Sequence, residues 1–268
     1  PALSSNGQFV AFSSARGSLV AGDTNGSRDV FVLDRASGTT ERVSVTSEGD
    51  QANGISDISH RDFSLSPDGR FVVFESWATN LVPDDTNDLA DVFIRDRVAE
   101  TTRRVSVPLG PGTCASGPVA GANCTNDSDC GEGGSCAEVP QADGYSVDAA
   151  VSADGRFVTF SSEASNLVSS GGGGSPSPNV FIRDLVDGST ELVSQQFADG
   201  LSSGEAQWPT PSADGRFVVF TSEADTLVPN DTNEQSDIFV YDRTAGETER
   251  VSVSSGGEEG NWYQHHWA

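Results

Sequence analysis

Four segments of this chain are copies of one another, and a chain made of copies folds as a stack of equal units rather than around one irregular core. LSSNGQFVAF at 3–12, LSPDGRFVVF at 65–74, VSADGRFVTF at 151–160 and PSADGRFVVF at 211–220 form the first block. A second block follows each: DVFVLDR at 29–35, DVFIRDR at 91–97, NVFIRDL at 179–185 and DIFVYDR at 237–243. TTERVSV, TTRRVSV, STELVSQ and ETERVSV close the units. Gly7, Gly69, Gly155 and Gly215 recur about every sixty residues, a period on the scale of structural repeats. The interval from Gly69 to Gly155 is longer because it holds a cysteine-bearing insertion.

Asp-Gly or Asn-Gly ahead of an alternating apolar run signals a hairpin, because glycine accepts the positive φ of a tight primed turn. In the run that follows, Phe71 and Val73 fall on one face and Val72 and Phe74 on the other. Both faces are apolar, as expected of a strand held between neighbouring sheets. The second and third blocks, joined by a short loop, read as another hairpin, and the segment before each glycine turn adds a strand. Each unit is then four short antiparallel strands. The tail NWYQHHWA at 261–268 holds the place, relative to the first unit, that QWPT at 207–210 holds before PSADG. The first strand of unit one is therefore expected from the far end of a chain, either its own or a neighbour's.

The S-x-D-G-R-F-V-x-F…D-[VI]-F-[VI]-x-D-[RL] pattern resembles the WD40-like repeat of TolB-type bacterial β-propellers, over nearly the whole chain except about residues 108–142. The resemblance implies an all-β propeller with four blades of four antiparallel strands and a Cys-rich loop insertion. Blades 1 and 2 would occupy 1–107, a disulfide-rich insertion 108–142, and blades 3 and 4 residues 143–268, with the C-terminal strand completing blade 1. Four blades is the lower limit for closure. A closed ring, an eight-bladed dimer and part of a longer array all remain open. Propellers serve many roles, so the motif speaks to fold more than to function.

With 15 basic and 40 acidic residues the net charge is −25, which repels phosphate and argues against a nucleic-acid or anionic-membrane partner. Every basic residue is Arg, so Schiff-base chemistry and a Walker lysine are excluded. No run approaches ~18 apolar residues and no basic segment precedes an apolar one, so neither a membrane-inserted helix nor a signal peptide is expected here. A chain without Met that begins at Pro1 suits a processed product.

Three units carry D-x-N-x-x-x-D between the first two blocks: Asp23, Asn25 and Asp29; Asp85, Asn87 and Asp91; Asp231, Asn233 and Asp237. Hard oxygen donors at i, i+2 and i+6 of a turn suit Ca²⁺, which takes about 6–8 oxygens, and such sites would stabilise an acidic protein. Capped turns without metal are the competing reading, because Asp and Asn bond nearby backbone N–H groups. The third unit has SSGGGGSPSPN instead and keeps only Asn179.

Cys114, Cys124, Cys130 and Cys136 lie in a Gly/Ser-rich stretch that cannot form a core, so two disulfides are expected, with three pairings open. They imply an oxidising compartment, periplasmic or extracellular. Asn25, Asn123, Asn126 and Asn230 begin N-x-[ST] sequons and are glycosylation candidates in a secreted chain. His60, His265 and His266, and Trp208, Trp262 and Trp267, fall in first strands, where a channel site competes with plain packing.

No catalytic signature appears: no nucleophile elbow, no H-E-x-x-H and no phosphate-binding glycine loop. The expected function is a non-enzymatic, Ca²⁺-stabilised extracellular scaffold whose partners are other copies of itself or another envelope protein, assembling into a fibre or surface layer. The alternatives are a TolB-like envelope propeller binding a protein or peptide, and a propeller-type hydrolase.

Overall fold

The computed structural model describes residues 1–58, 64–108, 141–168, 177–195, 204–233 and 235–260, and the backbone of three short strands within 112–137. Among the described residues there is no helix, and four four-stranded antiparallel sheets follow one another along the chain. Blade 1 comprises β1 (Ala2–Leu3), β2 (Phe9–Ser14), β3 (Asp29–Asp34) and β4 (Thr39–Arg42). Blade 2 comprises β5 (Ser56–Asp57), β6 (Phe71–Ser76), β7 (Asp91–Asp96) and β8 (Thr101–Arg104). The insertion carries β9 (Gly112–Cys114), β10 (Asn123–Cys124) and β11 (Cys136–Ala137) in the order β10-β9-β11, with Cys136 opposite Cys114, a small sheet where a loop was expected. Blade 3 comprises β12 (Ser146–Val151), β13 (Phe157–Ser162), β14 (Asn179–Asp184) and β15 (Ser189–Leu192). Blade 4 comprises β16 (Ala206–Pro211), β17 (Phe217–Ser222), β18 (Asp237–Asp242) and β19 (Glu247–Arg250). These serial meanders are the blades of a β-propeller.

Within a blade the second and third strands pair over six positions, which sets Phe12 opposite Phe31, Phe74 opposite Phe93, Phe160 opposite Phe181 and Phe220 opposite Phe239. Their rings stack with centroids 5.8 Å apart in the first three blades and 5.6 Å in the fourth. Aromatic cross-strand pairs of this kind are the unit that stabilises a sheet. The core lies between blades. One cluster joins Val30 and Val32 to Leu65 and Val72, a second joins Val73 and Ile94 to Ala149 and Val151, and a third joins Phe157 and Ile182 to Ala206 and Val218. Strand β5 packs on β2 and β3, β12 on β6 and β7, and β16 on β13 and β14. No comparable packing joins blade 1 to blade 4 among the described residues.

The glycine turns occur where expected, with φ of 68°, 77°, 74° and 68° at Gly7, Gly69, Gly155 and Gly215, but they are not primed turns. A primed type I turn needs positive φ at both central residues, and Asn6, Asp68, Asp154 and Asp214 do not have it. Instead each turn closes through the glycine N–H donating to a serine carbonyl three residues back, as from Gly69 to Ser66 at 2.8 Å. The Asp68 carboxylate accepts from the Ser66 hydroxyl and from the Arg70 N–H, locking the turn. The glycine has a second duty: a Cβ on Gly69 would fall within the ring of Phe9 of the preceding blade, one on Gly155 within Phe71, and one on Gly215 within Phe157.

First strands β12 and β16 run six residues and carry a bulge, with Asp148 and Trp208 both at φ 56°. In blade 1 only the half after the bulge is present: Ala2 and Leu3 pair with Ala11 and Val10 as Ala150 and Val151 pair with Thr159 and Val158. Residues 261–268, expected to supply the other half, lie outside the described residues. Gly155→Ala combines a left-handed residue with overlap of the Phe71 ring and is expected to destabilise the fold by about 1–3 kcal/mol in denaturant titration, whereas Gly38→Ala, whose Cβ meets nothing, should show the backbone cost alone.

Candidate functional site

In each of the three D-x-N-x-x-x-D loops both aspartates lie against an arginine. In blade 2, Arg104 Nη1 lies 3.3 Å from Asp85 and 3.4 Å from Asp91. Asn87 donates from Nδ2 to Asp91 and to the Ala142 carbonyl, both at 3.1 Å, and the Ser106 hydroxyl donates to Asp91 at 2.5 Å. Blade 1 repeats this with Arg42 3.4 Å from Asp23 and 3.7 Å from Asp29, and Asn25 bonded to Asp29 and to Ala52 O. In blade 4, Arg250 lies 2.9 Å from Asp231 and 3.5 Å from Asp237, and Asn233 bonds Asp237 and Gly260 O. Ala52, Ala142 and Gly260 belong to the segment leaving each blade, so the asparagine ties loop, outer strand and exit segment together. Burial pushes the Asp85 carboxyl up to about 6, with Arg104 opposing and Asp91 and Asp88 adding to the rise.

Blade 3 lacks the whole set. Asn179 replaces the second aspartate and Leu192 the arginine, while Ser194 still donates to Asn179 at 3.1 Å. Guanidinium and carboxylates are present together in blades 1, 2 and 4 and absent together in blade 3, as mutual neutralisation of buried charges requires. The donors singled out for Ca²⁺ thus already have a guanidinium between them, and no group of three or more His, Cys, Asp or Glu among the described residues is arranged to hold a metal. Asn25 uses both Nδ2 hydrogens in these bonds, leaving neither free for a glycan. Asn230 is exposed at φ 63°.

A carboxylate cluster between blades 2 and 3 has no counterpart in the other blades among the described residues. Glu75 stands directly across from Asp57 in the β5–β6 register, and Asp148 of β12 approaches the same carboxylate. Like charges directly opposed on a sheet repel. Burial, then Asp148 and Asp57, push the Glu75 carboxyl up to about 7, against a hydrogen bond from the Asp148 backbone. Asp57 also pairs with Arg28. The signal in the sequence is Glu75 itself, where the other repeats place Ser13, Ser161 and Thr221. A carboxyl that titrates near neutrality can hold or release a proton at physiological pH.

Among the remaining candidates, Trp208 is the half-buried bulge residue of β16. His60, His265, His266, Trp262 and Trp267 lie outside the described residues, as do Cys130, Asn126 and the side chains of Cys114, Cys124, Cys136 and Asn123. No described helix is long and apolar enough to cross a membrane.

Arg104→Ala leaves two buried carboxylates uncompensated and is expected to cost about 3–5 kcal/mol in denaturant titration, whereas Arg104→Leu combined with Asp85→Ser and Asp91→Asn, which removes all three charges as blade 3 does, should recover most of it. With guanidinium as the counter-charge, chelator should leave the melting temperature unchanged; a melt lowered by chelator and restored by Ca²⁺ would place a metal there. Glu75 binds its proton more tightly folded than unfolded, so stability falls as pH rises from 4.5 to about 7. Glu75→Gln should remove that part of the slope and raise stability at pH 8 by on the order of 2–3 kcal/mol, read from melts across pH.

No protein-family model and no curated protein matches the chain. Solved structures that it resembles include TolB from Acinetobacter baumannii, at 18% identity and TM-score 0.47 over 97% of this chain and 44% of that one. A putative TolB from Agrobacterium tumefaciens matches at 16% and 0.49, over 92% and 62%. The β-propeller domain of the Trilobed protease from Pyrococcus furiosus matches at 12% and 0.41, over 95% and 68%. The chain thus spans 44% and 62% of the length of the two TolB structures. By its sheets the chain is a run of four β-propeller blades.

Proposed function

We propose that this chain is a non-enzymatic scaffold that engages protein partners through the flat face of blade 4. One observation carries the reading. Phe217, Val219 and Val251 of blade 4 are 36%, 41% and 41% exposed, whereas Phe157, Thr159 and Val193, their equivalents in blade 3, are buried under the next blade. A contiguous apolar sheet face of this kind marks an interaction surface. The charge of −25 disfavours nucleic acid, and the four cysteines favour an oxidising compartment such as the envelope or extracellular space. The Glu75 cluster is the specific observation that favours the hydrolase alternative.

Phe217→Ser with Val219→Ser is expected to leave stability within about 0.5 kcal/mol, since exposed positions contribute little, while abolishing association and the binding of an apolar fluorescent dye. Unchanged association and dye binding in that variant would overturn the reading. A hydrolytic activity lost in Glu75→Gln would replace it with the enzymatic one.

A further inference from the structure

In two of the joints between blades, a glutamate on the last strand of one blade meets donors from the third hairpin strand and turn of the next. Glu191 of blade 3 is held at both oxygens: the Tyr241 hydroxyl donates to one at 2.8 Å and Arg243 Nε to the other at 3.0 Å. Glu41 of blade 1 pairs with Arg97 of blade 2, and its charge also favours the Arg95 guanidinium. The joint of blades 1 and 2 thus sets one carboxylate against two guanidinium groups.

The joint of blades 2 and 3 has lost the carboxylate. Arg103 occupies the glutamate position, opposite Ile94 as Glu41 is opposite Val32 and Glu191 opposite Ile182. Arg183 occupies the position of Arg95 and Tyr241, each of them opposite a threonine, and Leu185 the position of Arg97 and Arg243. Arg103 is exposed, whereas Arg183 is buried. Arg95 Nη1 donates to Thr46 O, Glu100 O and Thr102 Oγ1, but Arg183 Nη1 has only Thr190 Oγ1, at 2.9 Å. The buried nitrogens without a partner among the described residues are Nε of Arg42, Arg104 and Arg250, so the remaining Arg183 donors reach the surface. Burial pulls Arg183 down to about 10, with Asp184 opposing and Arg103 adding to the fall. Asp184 is itself taken by Arg156, 2.6 Å away. Two cations therefore face one another in a chain of charge −25, with no carboxylate between them among the described residues.

We infer that Arg103 and Arg183 form a binding site for a small carboxylate anion, which takes the place that Glu41 and Glu191 fill in the neighbouring joints. With the anion bound, the joint of blades 2 and 3 carries one carboxylate and two guanidinium groups, the balance that Glu41, Arg95 and Arg97 already have. Guanidinium suits this ligand because its planar donors match the two oxygens of a carboxylate, and charge-assisted bonds of this kind are the strong ones. Arg103, on the exposed strand, admits the anion; Arg183, fixed by Thr190 and closed in by the Thr190 hydroxyl bond to Val107 O at 3.3 Å, holds its far side. The site lies away from the apolar face of blade 4 and does not depend on what that face binds.

Melts of the full chain with sodium acetate replacing sodium chloride at constant ionic strength test this. Acetate is expected to raise the melting temperature along a saturable curve that chloride does not reproduce. Arg103→Ala, at an exposed position, should leave the circular dichroism spectrum unchanged and weaken the apparent acetate affinity by at least ~10-fold, the loss of one charged hydrogen bond. Arg103→Glu supplies the carboxylate from within the chain, so it is expected to melt higher than the wild type without acetate and to show no response to it. A wild type indifferent to acetate, a response that survives in Arg103→Glu, or a stronger response to inorganic phosphate than to acetate would overturn the inference.

Discussion

The contact on which this structure depends is a phenyl ring lying on a glycine. A sheet with two apolar faces has no stable surface of its own, and adjacent blades approach closely only if one of them has no side chain at the point of contact. Gly69, Gly155 and Gly215 meet that demand at a turn where the chain already needs positive φ, so a single residue type satisfies turn geometry and blade packing together. In the two outer joints an arginine of the next blade covers the same ring, Arg97 over Phe9 at 4.5 Å and Arg243 over Phe157 at 4.6 Å, and pairs with a glutamate of the blade before, Glu41 and Glu191.

The second constraint is charge. A chain with 40 acidic and 15 basic residues cannot leave its arginines to chance. Three are spent between the paired aspartates of the D-x-N-x-x-x-D loops, and Arg70, Arg156 and Arg216 pair with Asp96, Asp184 and Asp242 at 2.6 Å, reaching from the glycine turn to the next hairpin. Hydrogen bonds from Arg70 hold the Asp96 carboxyl at about 2, and hydrogen bonds from Arg156 draw Asp184 to about 2 against its burial. Such groups stabilise the fold above the ordinary carboxylate range and lose their contribution only as pH falls from 3.8 towards 2. Glu75 and Asp85 work in the opposite sense and over a higher window. Raised values mark where burial outweighs the partner, as at Asp85 beside Arg104; lowered ones mark less buried carboxylates that an arginine holds by hydrogen bonds, as at Asp96.

Strand number and the glycine turns were legible because the repeat states them four times and period-two alternation leaves little choice of strand. The turn type was not, because Asp-Gly serves a primed turn and a glycine-closed turn alike, and the Ser66 and Arg70 bonds to Asp68 decide between them. The cation between the aspartates was visible in outline: carboxylates in triplicate require a counter-charge. Its identity lay in the third block, where Leu192 interrupts a column of arginines in the one unit that lacks the aspartates. Glu75 was hidden for the converse reason. One acidic residue among 40 stands out only once the register sets it against Asp57 and brings Asp148 alongside.

A repeat that stacks by unlike faces differs from one that stacks by like faces in a way that bears on function. Each internal joint covers one ring-bearing face and one glycine-bearing face, Phe9 on Gly69, Phe71 on Gly155 and Phe157 on Gly215. Three joints show that the rule operates with and without the ionic pair, the middle one substituting Leu185 for the arginine where Arg103 has replaced the glutamate.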